Sequence, residues 1–155
     1  MIYNEQKGNL FKLDSKYALA HCISYDTDNP KSWNLGIVVE FKKKFSGIKE
    51  YTNNFIRENN LSCPCVVPYN KNERVIFNLI TKKYYYGKPT YDTIRKCIKD
   101  MALLCKELEI KYLGLPKIGC GLDRLQWGKV REIIKEEFKD LDIEIEIRYL
   151  KQDYK

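Results

Sequence analysis

The stretch LPKIGCGLDRLQWGKV, Leu115–Val130, sets the reading of the whole chain. Upstream of it, KYLGLP is a short apolar run of strand character. Downstream, WGKVREIIKEEFKD places Val130, Ile133, Ile134 and Phe138 on one side of an amphipathic helix. Between the two lie Gly119, Gly121 and Asp123. A strand that passes into a helix through a glycine-bearing turn is the repeating unit of an α/β sheet. Two readings of the turn compete. Glycines let successive backbone N–H groups form an anion-binding concavity, reinforced by the positive end of the next helix. Alternatively the turn is ordinary and Asp123 is a helix N-cap. A lone G-x-G is weak evidence, and spacing alone favours the second reading.

The same alternation continues on both sides. MIYNEQK reads as an edge strand, and YALAHCIS (Tyr17–Ser24) as a buried one. YDTDNPKSWN is a loop, rich in turn formers. From Gly36, the residues Ile37, Phe41, Phe45 and Ile48 recur at helical spacing among lysines. PCVVPY and RVIFNLIT are two β-rich segments joined by the turn NKNE. The clearest helix is TYDTIRKCIKDMALLCKELE. Its stripe is Ile94, Cys97, Ile98, Met101, Leu104, Cys105 and Leu108, with Thr90 as N-cap after Pro89. IEIEIRYL closes the pattern as an alternating strand on a half-exposed edge. The expected fold is a three-layer α/β domain with a mixed central sheet, one domain over residues 1–155. In such sheets, ligands bind beyond the carboxyl ends of the strands.

The chain has 155 residues, an apolar fraction of 44% and a net charge of +7. No 18-residue apolar run exists, and MIYNEQKGNLF has no secretory pattern, so a cytoplasmic, membrane-free and monomeric protein is expected. Of the six cysteines, Cys22, Cys63, Cys65, Cys97 and Cys105 read as structural thiols, most of them in apolar runs, and Cys120 stands apart in the glycine-bearing turn. CPC at Cys63–Cys65 is half a metal clamp. With one histidine and no second cysteine pair, no metal and no cofactor are expected. The positive excess suits a phosphate-bearing partner, but it is spread along the chain, with one cluster at Phe41–Phe45.

Other segments carry candidate chemistry. Lys82 and Lys83 follow directly on a strand. Such pairs are usually surface charges, but a lysine at the end of a buried strand becomes a nucleophile when burial favours its neutral form. His21, the only histidine, lies in an apolar run and reads as a hydrogen-bonded core residue. Gly36 opens a helix and presents backbone N–H groups. Trp33 before it is either a cover for a ligand or a packing residue.

Taken together, KGNLF, AHCIS, GIVVEFKKKF, LITKK…KPTY and LPKIGCGLDRLQW resemble the macrodomain family, in order and nearly in spacing, over roughly Tyr3–Leu150. The match is most specific to its terminal-ADP-ribose glycohydrolase branch, which is related to antitoxins that strip ADP-ribose from DNA. The resemblance implies an α/β/α sandwich with an ADP-ribose cleft. It places Asn9 and Leu10 at the adenine, Gly36 and Ile37 in a first phosphate loop, and Ile118, Gly119, Cys120, Gly121 and Leu122 in a second. Ser24 and Thr81 lie near the pocket. Lys82 matches the catalytic lysine and Asp123 the catalytic aspartate, while Lys83 stays a surface charge. The implied activity is removal of terminal ADP-ribose from acidic side chains, DNA bases or O-acyl esters through a lysyl-ADP-ribose intermediate. The implied partners are ADP-ribose and ADP-ribosylated protein or DNA. A non-catalytic ADP-ribose reader is the alternative. Two departures stand out. Asn9 replaces the family's usual aspartate, and YDTDNPKSWN is about four residues longer than usual, with Asn34 in place of a glycine.

Overall fold

The computed structural model describes residues 1–150. Six strands form one sheet: β1 (Ile2–Lys7), β2 (Ala18–Ser24), β3 (Cys65–Lys71), β4 (Arg74–Lys82), β5 (Tyr112–Leu115) and β6 (Glu144–Tyr149). Four helices cover it: α1 (Val38–Lys44), α2 (Ile48–Glu58), α3 (Tyr91–Glu107) and α4 (Trp127–Phe138). The spatial order is β1-β6-β5-β2-β4-β3, with every neighbouring pair parallel except β3 against β4. The sheet is therefore mixed, as expected. The carboxyl ends of β1, β2, β4, β5 and β6 share one edge.

Alternation along the strands separates two cores. On one face, Ala18, Ala20, Phe77, Leu79, Leu113, Ile145 and Ile147 pack under α3 and α4. On the other, Leu19, Ile23, Val67, Ile76 and Ile80 pack under α1, α2 and the Leu10–Lys12 turn of 3-10 helix. Helix α3 buries Ile94, Cys97, Ile98, Met101, Ala102 and Cys105. Each large buried side chain contributes about 1.5–3 kcal/mol. The exposed Arg95–Glu136 pair between α3 and α4 adds at most about 1 kcal/mol, so the apolar stripe, not the surface charge, holds that layer. Thr90 caps α3, as the sequence predicts, in a reciprocal capping box with Thr93. Asn72 and Glu73, both at positive φ, make the two-residue hairpin turn between β3 and β4.

Two expectations change, and the open reading of Trp33 is decided. The apolar spacing from Ile37 to Ile48 is not one helix. Gly47, at φ +86°, breaks it into α1 and α2, and α2 runs on to Glu58. The terminal strand β6 is not an edge. It lies between β1 and β5, so Glu146 is buried and accepts hydrogen bonds from Gln6 and from Arg148, the latter at 2.9 Å. The edge is β1, with Ile2 half exposed. Trp33 is wholly buried, and its indole N–H donates to the Thr27 carbonyl at 3.1 Å. It packs and does not cover a ligand.

The edge strand β1 is fastened to α4 by a polar cluster. Glu5 accepts from Arg131 Nη2 at 3.0 Å, Trp127 Nε1 at 3.1 Å and Tyr3 Oη at 2.6 Å. Burial alone would raise its carboxyl, but the hydrogen bonds from Arg131, Tyr3 and Trp127 outweigh it and hold Glu5 down to about 2. A folded-state value below the unfolded one adds stability that is complete above about 4.5 and is lost as pH falls toward 2. Glu5→Gln is expected to cost about 1–3 kcal/mol at neutral pH, as for a lost hydrogen bond to a charged group. It should also flatten the acid limb of the stability profile. Urea unfolding followed by tryptophan fluorescence at pH 7 and pH 3 measures both.

Candidate active site

The carboxyl edge of the sheet gathers the sequence-predicted residues. Lys82 ends β4, and its Nζ lies 2.7 Å from Oδ1 of Asp123, in the turn after β5. Both side chains are 14% exposed, so the pair is largely withdrawn from water yet reachable. Asp123 does not cap α4. The N-cap there is Gln126, with no side-chain cap bond, and the carboxylate is turned to Lys82 instead.

The turn that carries Asp123 is fixed by backbone bonds from Cys120 N to Lys117 O, Arg124 N to Gly121 O and Leu125 N to Gly119 O. Gly119 sits at φ +74° and Arg124 at φ +62°. The Cys120 N–H is thus spent within the turn and does not face outward as a phosphate donor, while the exposed Gly121 and Leu122 lie at its outer rim. Ile118 and Cys120 are buried beneath it. Burial pushes the Cys120 thiol up to about 12, so it is a protonated packing group.

Facing this turn is the loop after β2. Gly36 has φ +83°, and a Cβ there would stand 3.3 Å from Leu122 Cδ1, so the two loops meet. Ile37 is half-buried at the start of α1. Ser24, at the end of β2, donates its hydroxyl to Asp26 Oδ1. Thr81 is wholly buried, and its hydroxyl has no hydrogen-bond partner among the described residues. Asn9 is exposed, and its Oδ1 accepts from Phe11 N at 2.9 Å as the cap of the Leu10–Lys12 turn. Leu10 is buried against Leu13 and Leu19. Asn9 and Leu10 follow β1 and so share the edge, away from the Lys82–Asp123 pair.

His21 is a core residue, as its apolar run predicts. It stacks on Phe41 at 4.1 Å and shares a 2.7 Å hydrogen bond with Asn78. Burial, partly opposed by that bond, lowers it to about 4, so it is neutral.

Several residues of the site escaped the sequence reading. Cys22 on β2 lies close to Asp123, Cys120 and Lys82; burial, with the nearby Asp123, raises its thiol. Asp26 joins two loops by accepting from Ser24 and, at 3.2 Å, from Tyr85 N. Lys88 Nζ donates to the Leu122 carbonyl at 2.7 Å. Asp26 and Lys88 lie in loops that follow β2 and β4, and Cys22 in a buried strand, so spacing along the chain does not single them out. Among the described residues no group of histidine, cysteine and acidic side chains could hold a metal ion, and no helix is long and apolar enough to cross a membrane.

The glycines of the turn differ in what they tolerate. A Cβ on Gly119 would meet Leu125 Cδ1 at 3.1 Å and Ile94 Cδ1 at 3.2 Å, at a positive φ; one on Gly121 would meet nothing within 4 Å. Gly119→Ala should lower unfolding free energy by about 1–3 kcal/mol, and Gly121→Ala by less than about 0.5 kcal/mol. Paired chemical denaturation curves test the contrast.

Comparison with known proteins yields a family and its relatives. A family model described as Macro domain matches residues 35–134. The chain is 40% identical over 141 residues to ADP-ribose glycohydrolase OARD1 of Homo sapiens, covering 91% of this chain and 87% of that protein. It is 30% identical over 69 residues to the DNA ADP-ribosyl glycohydrolase of Thermus aquaticus, covering 44% of this chain and 19% of that protein. Among solved structures, the macrodomain of Mycobacterium tuberculosis DarG superposes with a TM-score of 0.84 at 19% identity, covering 95% of this chain and 97% of the other. The macrodomain of Thermus aquaticus DarG gives 0.82 at 22% identity, covering 96% and 98%. At those identities the structural likeness speaks for the fold.

Proposed function

The chain belongs to the macrodomain family, and we propose that it is an ADP-ribosyl hydrolase in which Lys82 is the nucleophile and Asp123 its proton partner. The observation that carries this reading is the 2.7 Å contact between a lysine amine and a carboxylate, both largely withdrawn from water at the carboxyl edge of the sheet. The ADP-ribose glycohydrolase names of the relatives at 40% identity support the same chemistry.

The reaction runs in two displacements. Asp123 accepts a proton from Lys82, which frees the amine lone pair. That lone pair attacks the anomeric carbon of the distal ribose. The bond from this carbon to the carboxylate or acyl oxygen, or to the base, breaks. The leaving group takes the bonding electrons and the proton held by Asp123, which is thereby a carboxylate again. Lysine is then linked to ADP-ribose. Water, losing its proton to Asp123, next attacks the same carbon, and the C–N bond breaks with its electrons returning to Lys82. ADP-ribose departs and the amine is restored. In this reading the Gly36–Ile37 segment and the outer rim of the second turn at Gly121–Leu122 hold the diphosphate, with Ile118–Cys120 supporting that turn from beneath, and Ser24 and Thr81 line the pocket between them. Asn9 and Leu10 take the adenine. There the Asn9 oxygen offers an uncharged acceptor already shared with Phe11 N, so adenine recognition is weaker than with a carboxylate. Candidate substrates are terminal ADP-ribose on glutamate or aspartate, on DNA bases, or as O-acyl-ADP-ribose.

Lys82→Ala and Asp123→Ala are each expected to lower release of ADP-ribose from a glutamyl-linked or DNA-linked substrate by at least about 100-fold. Calorimetric binding of free ADP-ribose should survive in both. Wild-type binding of ADP-ribose without turnover of any of the three substrates would instead make the protein a reader. Full activity in both variants would overturn the assignment.

A further inference from the structure

The loop that follows Lys82 reads KYYYGK, Lys83–Lys88, and none of its tyrosines has a part in the proposed reaction. Tyr84 and Tyr86 are 52% and 68% exposed, unusual for large aromatic side chains. Their rings stack on each other at 5.3 Å and 9°. Tyr85 stands edge-on to Tyr86 at 5.3 Å, beneath Lys31 Nζ at 5.6 Å from its ring. Lys31 belongs to the extended loop after β2, the same insertion that Trp33 pins from inside.

The aromatic loop is built onto the active-site edge from two sides. Tyr85 N donates to Asp26 Oδ2, and the Lys82 carbonyl accepts from Tyr25 N, which ties it to the end of β2. Lys88 ties it to the Leu122 carbonyl, one residue before Asp123. Lys31, Lys83 and Lys88 are all exposed around it. Of the acidic groups close by, Asp26 is taken up by Ser24 and Tyr85 N, and Asp123 by Lys82.

We infer that the exposed Tyr84–Tyr86 pair, flanked along the loop by Lys83 and Lys88 and with Lys31 over neighbouring Tyr85, is a stacking platform for an unpaired nucleobase of a single-stranded nucleic acid strand passing the Lys82–Asp123 site. Flat exposed rings beside cations suit a strand that offers π-faces and phosphates at regular intervals. An acidic peptide would use the lysines but leaves two stacked, solvent-facing rings without a planar partner. The platform receives a base that flanks the modified residue, so it deepens the hydrolase reading by choosing nucleic acid over protein as carrier of the ADP-ribose. That extension to a flanking base rests on the proposed function, whereas binding of an unmodified strand does not.

The test uses the full chain and a fluorescein-labelled, unmodified single-stranded DNA 12-mer, followed by anisotropy at two salt concentrations. Tyr84→Ala/Tyr86→Ala is expected to weaken binding by roughly 5- to 100-fold, while Tyr84→Phe/Tyr86→Phe retains it. Free ADP-ribose binding, measured by calorimetry, should be unchanged in both, which also reports that the variants fold. Lys82→Ala should bind the 12-mer like wild type, so a failed hydrolase assignment leaves this result standing. Three outcomes overturn the proposal: no binding of the 12-mer by wild type, equal binding by the Ala/Ala variant, or tighter tyrosine-dependent binding of a glutamate-rich peptide of equal charge.

Discussion

The Lys82–Asp123 contact is where the fold and the site meet. One partner is the last residue of β4 and the other lies in the turn after β5, strands separated in the sheet by β2. A 2.7 Å contact between them requires the sheet to hold β4 and β5 in a fixed register on either side of β2. Parallel pairing sets Ser24 at the end of β2 opposite Lys82, while β5, with Gly114 opposite Leu19, ends at Leu115 several residues short of that level, so the turn after β5 carries Asp123 up to Lys82. The apolar cores on either face then fix the sheet's position under the helices. Burial stabilises this arrangement by far more than the ion pair does, since withdrawing two charges from water offsets much of their attraction. The pair is placed by the fold and does not hold it together.

The turn at Gly119–Arg124 shows how local backbone chemistry is subordinated to that contact. An aspartate shortly before a helix reads as its cap, and the sequence alone leaves that reading ahead. The structure leaves α4 without a side-chain cap and spends Asp123 on Lys82. The left-handed conformation of Arg124, uncommon for a side chain of that size, is part of the same geometry. A cap forgone and a strained residue together mark a turn shaped for more than chain reversal.

Much of this was legible in the residues. Helix α3 carries its own cap and an apolar stripe of which Ile94, Cys97, Ile98, Met101 and Cys105 are buried, while Leu108 lies exposed beyond its end. The β3–β4 hairpin has Asn72 and Glu73 between two β-rich runs, so both elements are largely specified locally. The site was legible only through the joint pattern of LITKK and IGCGLDRLQW; neither segment separates chemistry from a surface lysine or a turn by itself. What stayed hidden depends on neighbours. Helical spacing persists across Gly47, but the left-handed turn there splits it. The charged alternation of β6 suggests an exposed edge, yet β1 pairs outside it and Glu146 finds Gln6 and Arg148. Trp33 stays open between cover and packing residue until the Thr27 carbonyl and the surrounding apolar residues are in place around it. In each case a long-range partner decides, and spacing along the chain cannot report it.

Covalent involvement of Lys82 is the centre of this account. Reduction with cyanoborohydride during turnover of a glutamyl-ADP-ribosylated substrate, followed by peptide mapping with mass spectrometry, tests it most directly. The account predicts an ADP-ribose adduct on the peptide that contains Lys82, at the Lys82 amine and absent from neighbouring Lys83. An adduct confined to another residue, or steady turnover with no trappable adduct at all, would contradict it.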